Sequence, residues 1–229
     1  IVATQGYTDT CMMAILCSDK NLYVVGCNTQ CQMADGTIVS KAAVQKWGSG
    51  TALATTLLAH VVDMWVVSSD YPAVYVKLDN GLIYTAGYGT TYMTMGTVLS
   101  AISVPALCPA PFNGSQTIVK MTGGGSFSTT YADTAAVLTD QNKVYTWGKW
   151  ATLGGLTPAT TNLPQLWMDP YRGTETIVDI KLFGNGQAQG LHVHFANGEV
   201  WTTNLNVYTS GEMGIGSANG QYMPARVCF

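Results

Sequence analysis

Four copies of one short pattern, spaced almost evenly along 229 residues, constrain this chain more than any other feature of its sequence. The copies are Leu22-Tyr23-Val24-Val25-Gly26, Ile83-Tyr84-Thr85-Ala86-Gly87, Val144-Tyr145-Thr146-Trp147-Gly148 and Val200-Trp201-Thr202-Thr203-Asn204, where Asn replaces the last Gly. Their last residues are 61, 61 and 56 positions apart. A near-constant period of this length marks stacked or radially arranged units, each burying its apolar faces against its neighbours.

Each copy follows an apolar run and a polar turn. Ala14-Ile15-Leu16 precedes Ser18-Asp19-Lys20-Asn21, and Val74-Tyr75-Val76 precedes Leu78-Asp79-Asn80-Gly81. Ala136-Val137-Leu138 precedes Thr139-Asp140-Gln141-Asn142, and Leu191-His192-Val193 precedes Phe195-Ala196-Asn197-Gly198. Asp-Asn-Gly and Ala-Asn-Gly supply the positive φ angles of a tight hairpin, so each unit contains one. Two further series keep step. Ile1-Val2, Val61-Val62, Ile118-Val119 and Ile177-Val178 open the units at intervals of 60, 57 and 59. Pro105, Pro164 and Pro224 close them at intervals of 59 and 60, with no counterpart near Leu57-Leu58. The three series together predict four repeats of about four short strands each, approximately 1–60, 61–117, 118–176 and 177–229, in one repetitive body.

The unit resembles the repeat of the RCC1 family (regulator of chromosome condensation). That repeat runs through an opening β-branched strand, a Gly-rich turn, an apolar strand, a D-G-x-V-Y-x-W-G strand, an N-x-x-G-Q-L-G-x-G loop and a closing P-x-x-V. Lys143-Val144-Tyr145-Thr146-Trp147-Gly148 carries the strand, Gly211-Glu212-Met213-Gly214-Ile215-Gly216 the loop, and Pro224-Ala225-Arg226-Val227 the close. The loop reads as degenerate in the first three copies. The resemblance implies an all-β fold, an RCC1-like β-propeller or partial propeller. Rings of this family usually have seven blades, and four units are fewer. Together with a start at Ile1 rather than Met, this favours a piece of a longer chain, or assembly with further blades or copies.

Composition narrows the function classes. Charged residues are 10% of the chain, against about 25% in ordinary proteins. With a net charge of −3, no Lys/Arg groove for a phosphate backbone is available, so nucleic acid is excluded as a partner. The apolar run from Leu57 to Val67 is broken by His60 and Asp63, and no stretch reaches the roughly 20 apolar residues of a bilayer span, so no membrane insertion is expected.

No residue set announces catalysis, a cofactor or a metal. Cys11, Cys17, Cys27 and Cys31 read as buried thiols or local disulfides of the first unit, and Cys108 and Cys228 as packing residues. His192 and His194 share one strand face but lack a third ligand of matching spacing. Asp63 and Asp179 hold equivalent places in two opening strands, where charge alternating with apolar neighbours suits a half-buried strand. Gly123-Gly124-Gly125-Ser126 lacks a nucleophile elbow. Aromatics are more informative. Tyr23, Tyr84, Tyr145 and Trp201 share one repeat position and are expected to form a packing layer, with Gly26, Gly87 and Gly148 as strand-end anchors. Tyr88, Tyr92, Trp150 and Tyr208 fall in the loops after those anchors and are the candidate recognition residues.

The expectation is a non-enzymatic propeller module that binds another protein or a surface glycan. Its low charge and its Thr and Gly content suggest an extracellular or virion structural protein, such as a phage tail or capsid appendage that attaches to a host. Two alternatives stand beside it: an RCC1-like regulator, either a small-GTPase exchange factor or an enzyme inhibitor, and a glycan-degrading enzyme built at a propeller end.

Overall fold

The structure is a computed structural model that describes residues 2–3, 11–57, 59–67, 72–88, 95, 101–124, 134–148, 161–167, 174–183, 190–204 and 225–227. The chain divides into two compact units, Ile1–Thr117 and Ile118–Phe229. In the first, β1 (Val2–Ala3), β2 (Met12–Leu16), β3 (Leu22–Gly26) and β4 (Lys41–Lys46) form one sheet. The turn α1 (Ala54–Leu57) leads to a second, built from β5 (Val61–Val67), β6 (Ala73–Leu78), β7 (Ile83–Gly87) and β8 (Ile102–Leu107). The second unit repeats the plan. One of its sheets holds β9 (Ile118–Gly124), β10 (Thr134–Thr139), β11 (Val144–Gly148) and β12 (Thr161–Leu166), and the other holds β13 (Ile177–Phe183), β14 (Gly190–Phe195), β15 (Val200–Asn204) and β16 (Ala225–Arg226). All four sheets are antiparallel meanders, with every strand paired to its neighbours in sequence.

Each central hairpin is made by the same local geometry. The N–H groups of Lys20, Gly81, Asn142 and Gly198 each donate across 3.0 Å to the carbonyl three residues earlier. Each of these residues lies in the left-handed region, at φ 58°, 84°, 59° and 87°. This is the three-residue hairpin loop whose last residue adopts a left-handed conformation. Gly and Asn adopt it readily, whereas Lys20 does so at a cost of about 1 kcal/mol. At the other end of the hairpin the repeated pattern stops on Gly26, Gly87 and Gly148, at φ 113°, 134° and 127°. A Cβ on Gly26 would stand 2.6 Å from the Cys11 carbonyl oxygen, and one on Gly87 would stand 2.3 Å from that of Pro72. The neighbouring strand has closed onto the space a side chain would need.

Apolar faces meet within each unit. In the first, Met12, Ala14, Leu22, Val24, Met33 and Trp47 share a core with Val61, Met64, Val74, Val76, Leu78 and Tyr84. In the second, Ala136, Leu138, Val144 and Trp167 pack with Ile177, Ile180, Leu191, Val193 and Phe195. Polar clasps tie successive sheets together. Asn21 Oδ1 accepts the Ala59 amide at 3.1 Å, and Asn142 Oδ1 accepts that of Ile177 at 2.7 Å while its Nδ2 donates to the Glu175 carbonyl at 2.9 Å. Asp79 is joined by Lys20 and His60 at 3.2 Å each, and Lys120 reaches Asp179.

The opening strands carry an irregularity that alternation does not reveal. Val62, Val119 and Val178 are each an extra residue opposite the partner strand, and all three are exposed. After two of these bulges, Asp63 and Asp179 turn back to accept the next amide, from Met64 at 2.8 Å and Ile180 at 2.7 Å. These carboxylates therefore serve as backbone acceptors at a bulge.

Gly87→Ala is expected to lower stability by about 2–4 kcal/mol, since it adds a backbone clash to an unfavourable φ. Gly36→Ala, at φ 80° but with its nearest neighbour 3.9 Å away, should cost about 1 kcal/mol. Urea unfolding of the two variants tests that ranking. Asn142→Ala removes both clasps to residues 175–177 and is expected to cost about 1–3 kcal/mol in the same assay.

Candidate functional site

The β3–β4 connection, residues 27–40, is described throughout and is built as a knot. Asn28 is fully buried. Its Nδ2 donates to Asp35 Oδ1 and to the Thr37 carbonyl at 3.0 Å each, and its Oδ1 accepts the Met33 amide at 2.9 Å. Asp35 also receives the Thr37 amide at 3.0 Å, the Thr37 hydroxyl at 2.7 Å and Gln45 Nε2 at 3.1 Å, and it pairs with Lys41 at 3.2 Å. Trp47 Nε1 donates to the Gln32 carbonyl at 2.9 Å, and Met33 is buried in the core below. Burial by itself would raise the Asp35 pKa. The donors from Gln45, Thr37 and Lys41 outweigh it and hold the carboxyl at about 2.

This loop is the first copy of the one expected to be degenerate. Asn28-Thr29-Gln30-Cys31-Gln32-Met33-Ala34-Asp35-Gly36 fits N-x-x-G-Q-L-G-x-G, with Cys31 and Ala34 where the pattern has Gly. Both keep the left-handed backbone of the glycines they replace, at φ 62° and 57°. The signal available in the sequence was the spacing of Asn28, Gln32 and Gly36. Beyond the knot, Ile38 and Val39 stand 65% and 59% exposed. Beside it, Asp35, Gly36, Leu53, Val104 and Pro105 line a cavity of about 270 Å³, and Leu22, Trp47, Leu57 and Val61 line another of about 230 Å³.

Of the expected recognition residues, Tyr88 is half-buried directly after Gly87, its amide donating to the Pro72 carbonyl at 3.4 Å. Tyr92, Trp150 and Tyr208 lie outside the described residues, as do Gly211–Gly216, Pro224 and Cys228. The shared aromatic position meets different surroundings from sheet to sheet. Tyr84 is buried in the first core. Tyr23 is half-exposed, with its hydroxyl 3.4 Å from Asp19 Oδ2 and Lys46 Nζ 5.9 Å from its ring centroid. Tyr145 is half-buried, and Trp201 packs on the second core while its Nε1 donates to Glu199 at 3.2 Å.

His192 and His194 lie on one face of β14 with ring centroids 6.4 Å apart, and Phe183 packs 4.3 Å from His192. Burial, reinforced by the charges of His194 and Lys181, pushes the His192 pKa down. No three His, Cys, Asp or Glu side chains converge as a metal site would require among the described residues.

Two groups set separate pH windows. Asp35 has a folded pKa below its unfolded value, so its contribution is complete above about pH 4 and is lost as pH falls toward 2. Asp35→Asn should remove about 2 kcal/mol at pH 7 and flatten that acid limb. His192 is depressed as well, so the unfolded chain takes up protons first and stability falls as pH drops through 6.5. His192→Gln is expected to remove that step while leaving the Asp35 limb in place. Thermal melts from pH 8 to 2 measure both.

No protein-family model and no curated protein matches the sequence. Solved structures do. Human WBSCR16 aligns with a TM-score of 0.69 at 19% identity over 100% of this chain and 53% of its own. Yeast RCC1 (Prp20), solved bound to Kap60, aligns with a TM-score of 0.65 at 12% identity over 100% of this chain and 48% of its own. Prp20p from Saccharomyces cerevisiae, in a structure whose report also covers its binding to Gsp1p and histones, gives 0.58 at 13% identity over 88% and 44%. This chain thus spans about half the length of the structures it matches, and identities this low speak to fold alone. Four meandering antiparallel sheets and these likenesses make this an all-β chain of RCC1-like β-propeller fold.

Proposed function

We propose that this chain is a non-enzymatic protein-binding module, one domain of four RCC1-like repeats, that recognises its partner through connections between the third and fourth strands of its sheets. The observation that carries the proposal is the 27–40 loop. Asn28 and Asp35 hold it rigid from within, and it presents Ile38 and Val39 to solvent. A loop held in place before binding gives up little conformational entropy on docking, and exposed aliphatics on a rigid base suit an apolar protein contact. Tyr88, Tyr92, Trp150 and Tyr208 occupy the equivalent connections by sequence and are the further candidates for contact with a partner. That the matched RCC1 structures concern binding to Kap60, Gsp1p and histones is compatible with a protein partner here. The regulatory alternative, an exchange factor or inhibitor, shares this class. The narrower reading, attachment of a virion or extracellular assembly to a host surface, is supported by composition alone.

Binding should survive in high salt, because the chain has little charge to screen. With a partner captured from candidate host cells and then purified, Ile38→Asp/Val39→Asp should weaken binding at least tenfold and leave the melting temperature unchanged. Undiminished binding by that variant would move the surface elsewhere, and catalytic release of reducing ends from a glycan would replace the proposal with the enzymatic alternative.

A further inference from the structure

We propose that Cys11 and Cys27 form a cross-strand dithiol that a low-molecular-weight disulfide such as oxidised glutathione converts into an intramolecular disulfide. The register of β2 and β3 pairs Met12 with Gly26, which places Cys11 opposite Cys27 on the next rung. The Cys27 amide donates to the Cys11 carbonyl at 2.8 Å, which holds the two backbones together one residue beyond the last paired rung. Residues joined in this way across antiparallel strands have Cα atoms about 5.5 Å apart. A disulfide spans Cα separations of about 4.4–6.8 Å. Solvent reaches both thiols: Met12 and Ala14 are buried in the core, whereas Cys11 is exposed along with Met13, and Cys27 is half-buried. Gly26 lets the strands close at this point, because its missing side chain leaves room for the Cys11 carbonyl.

Among the described cysteines, competing pairings are ruled out by place or access. Cys17 lies beyond the far end of β2, about 20 Å along the strand from Cys11. Cys31 and Cys108 are buried, and burial raises both thiols above their ordinary pKa, with Asp35 adding to the effect at Cys31. In the exchange, one protein thiol loses its proton and its thiolate attacks a sulfur of oxidised glutathione, expelling one glutathione thiolate. The second protein thiolate then attacks the mixed disulfide and expels the other. Two protein thiols are oxidised and one oxidised glutathione is reduced to two thiols. The product staples the root of the 27–40 loop to β2.

The test treats the intact protein with oxidised glutathione, blocks remaining thiols with iodoacetamide and maps peptides without reduction. The expected product is a linked Cys11–Cys27 peptide in a protein lighter by about 2 Da, the mass of two hydrogens. Cys31 and Cys108 should be alkylated only after denaturation. Cys11→Ser and Cys27→Ser should each lose the link and instead retain one glutathionyl group on the remaining cysteine of the pair. A stable glutathionyl adduct on wild-type Cys11, a Cys27–Cys31 link, or no reaction at either thiol would overturn the proposal.

Discussion

Burial on both faces of the inner strands β6, β7 and β10 is the constraint from which the rest of this structure follows. Every residue of β7 and β10 is buried, and β6 departs from that only at Lys77. Such strands satisfy their backbone groups in the sheet ladder and leave almost no side chain to solvent. Unpaired charge there would cost several kcal/mol, and among the described residues charge is confined, Lys77 apart, to turns, loops, bulges and outer strands. The 10% charged share is the compositional record of that geometry. The charged pairs that remain are mostly solvent-exposed and contribute little singly, whereas the buried amide clasps of Asn28 and the part-buried ones of Asn142 satisfy backbone groups away from solvent.

A scaffold of this kind separates the groups that hold the sheets from the connections at their other end. The hairpin turns and inter-sheet clasps lie at one end of the strands, and the connections after Gly26, Gly87 and Gly148 lie at the other. In the 27–40 loop a buried carboxylate with a pKa near 2 replaces the strand ladder as the organiser of the backbone. The loop thereby gains order without burying its aliphatic tip, and an apolar tip on an ordered loop is a surface with something left to bury.

The sequence was legible where one residue type answers one backbone need. The opening strands, the hairpins and the strand-end glycines could all be placed from spacing, because Gly is the residue that tolerates both φ near 113° and a carbonyl oxygen 2.6 Å from its missing Cβ. The first loop was harder to see. Cys31 and Ala34 hold glycine-like conformations, so a pattern read by residue identity passes over them, although the asparagine and carboxylate that enforce those conformations stand beside them. The extra valine in each opening strand was likewise hidden, since a bulge shifts register without changing residue type. Asp63 and Asp179, suggestive as a carboxylate pair, are explained by the amides that follow them.

By itself the sequence determined the repeat and the positions where the chain must turn, since a turn depends on residues adjacent in the chain. Tertiary structure decided what each repeated side chain meets. Tyr23 and Tyr84 share a register position, yet one contacts Asp19 and Lys46 near solvent while the other is enclosed in a core. The difference arises because burial is conferred by the neighbouring sheet, and a local pattern carries no information about which neighbour will cover it.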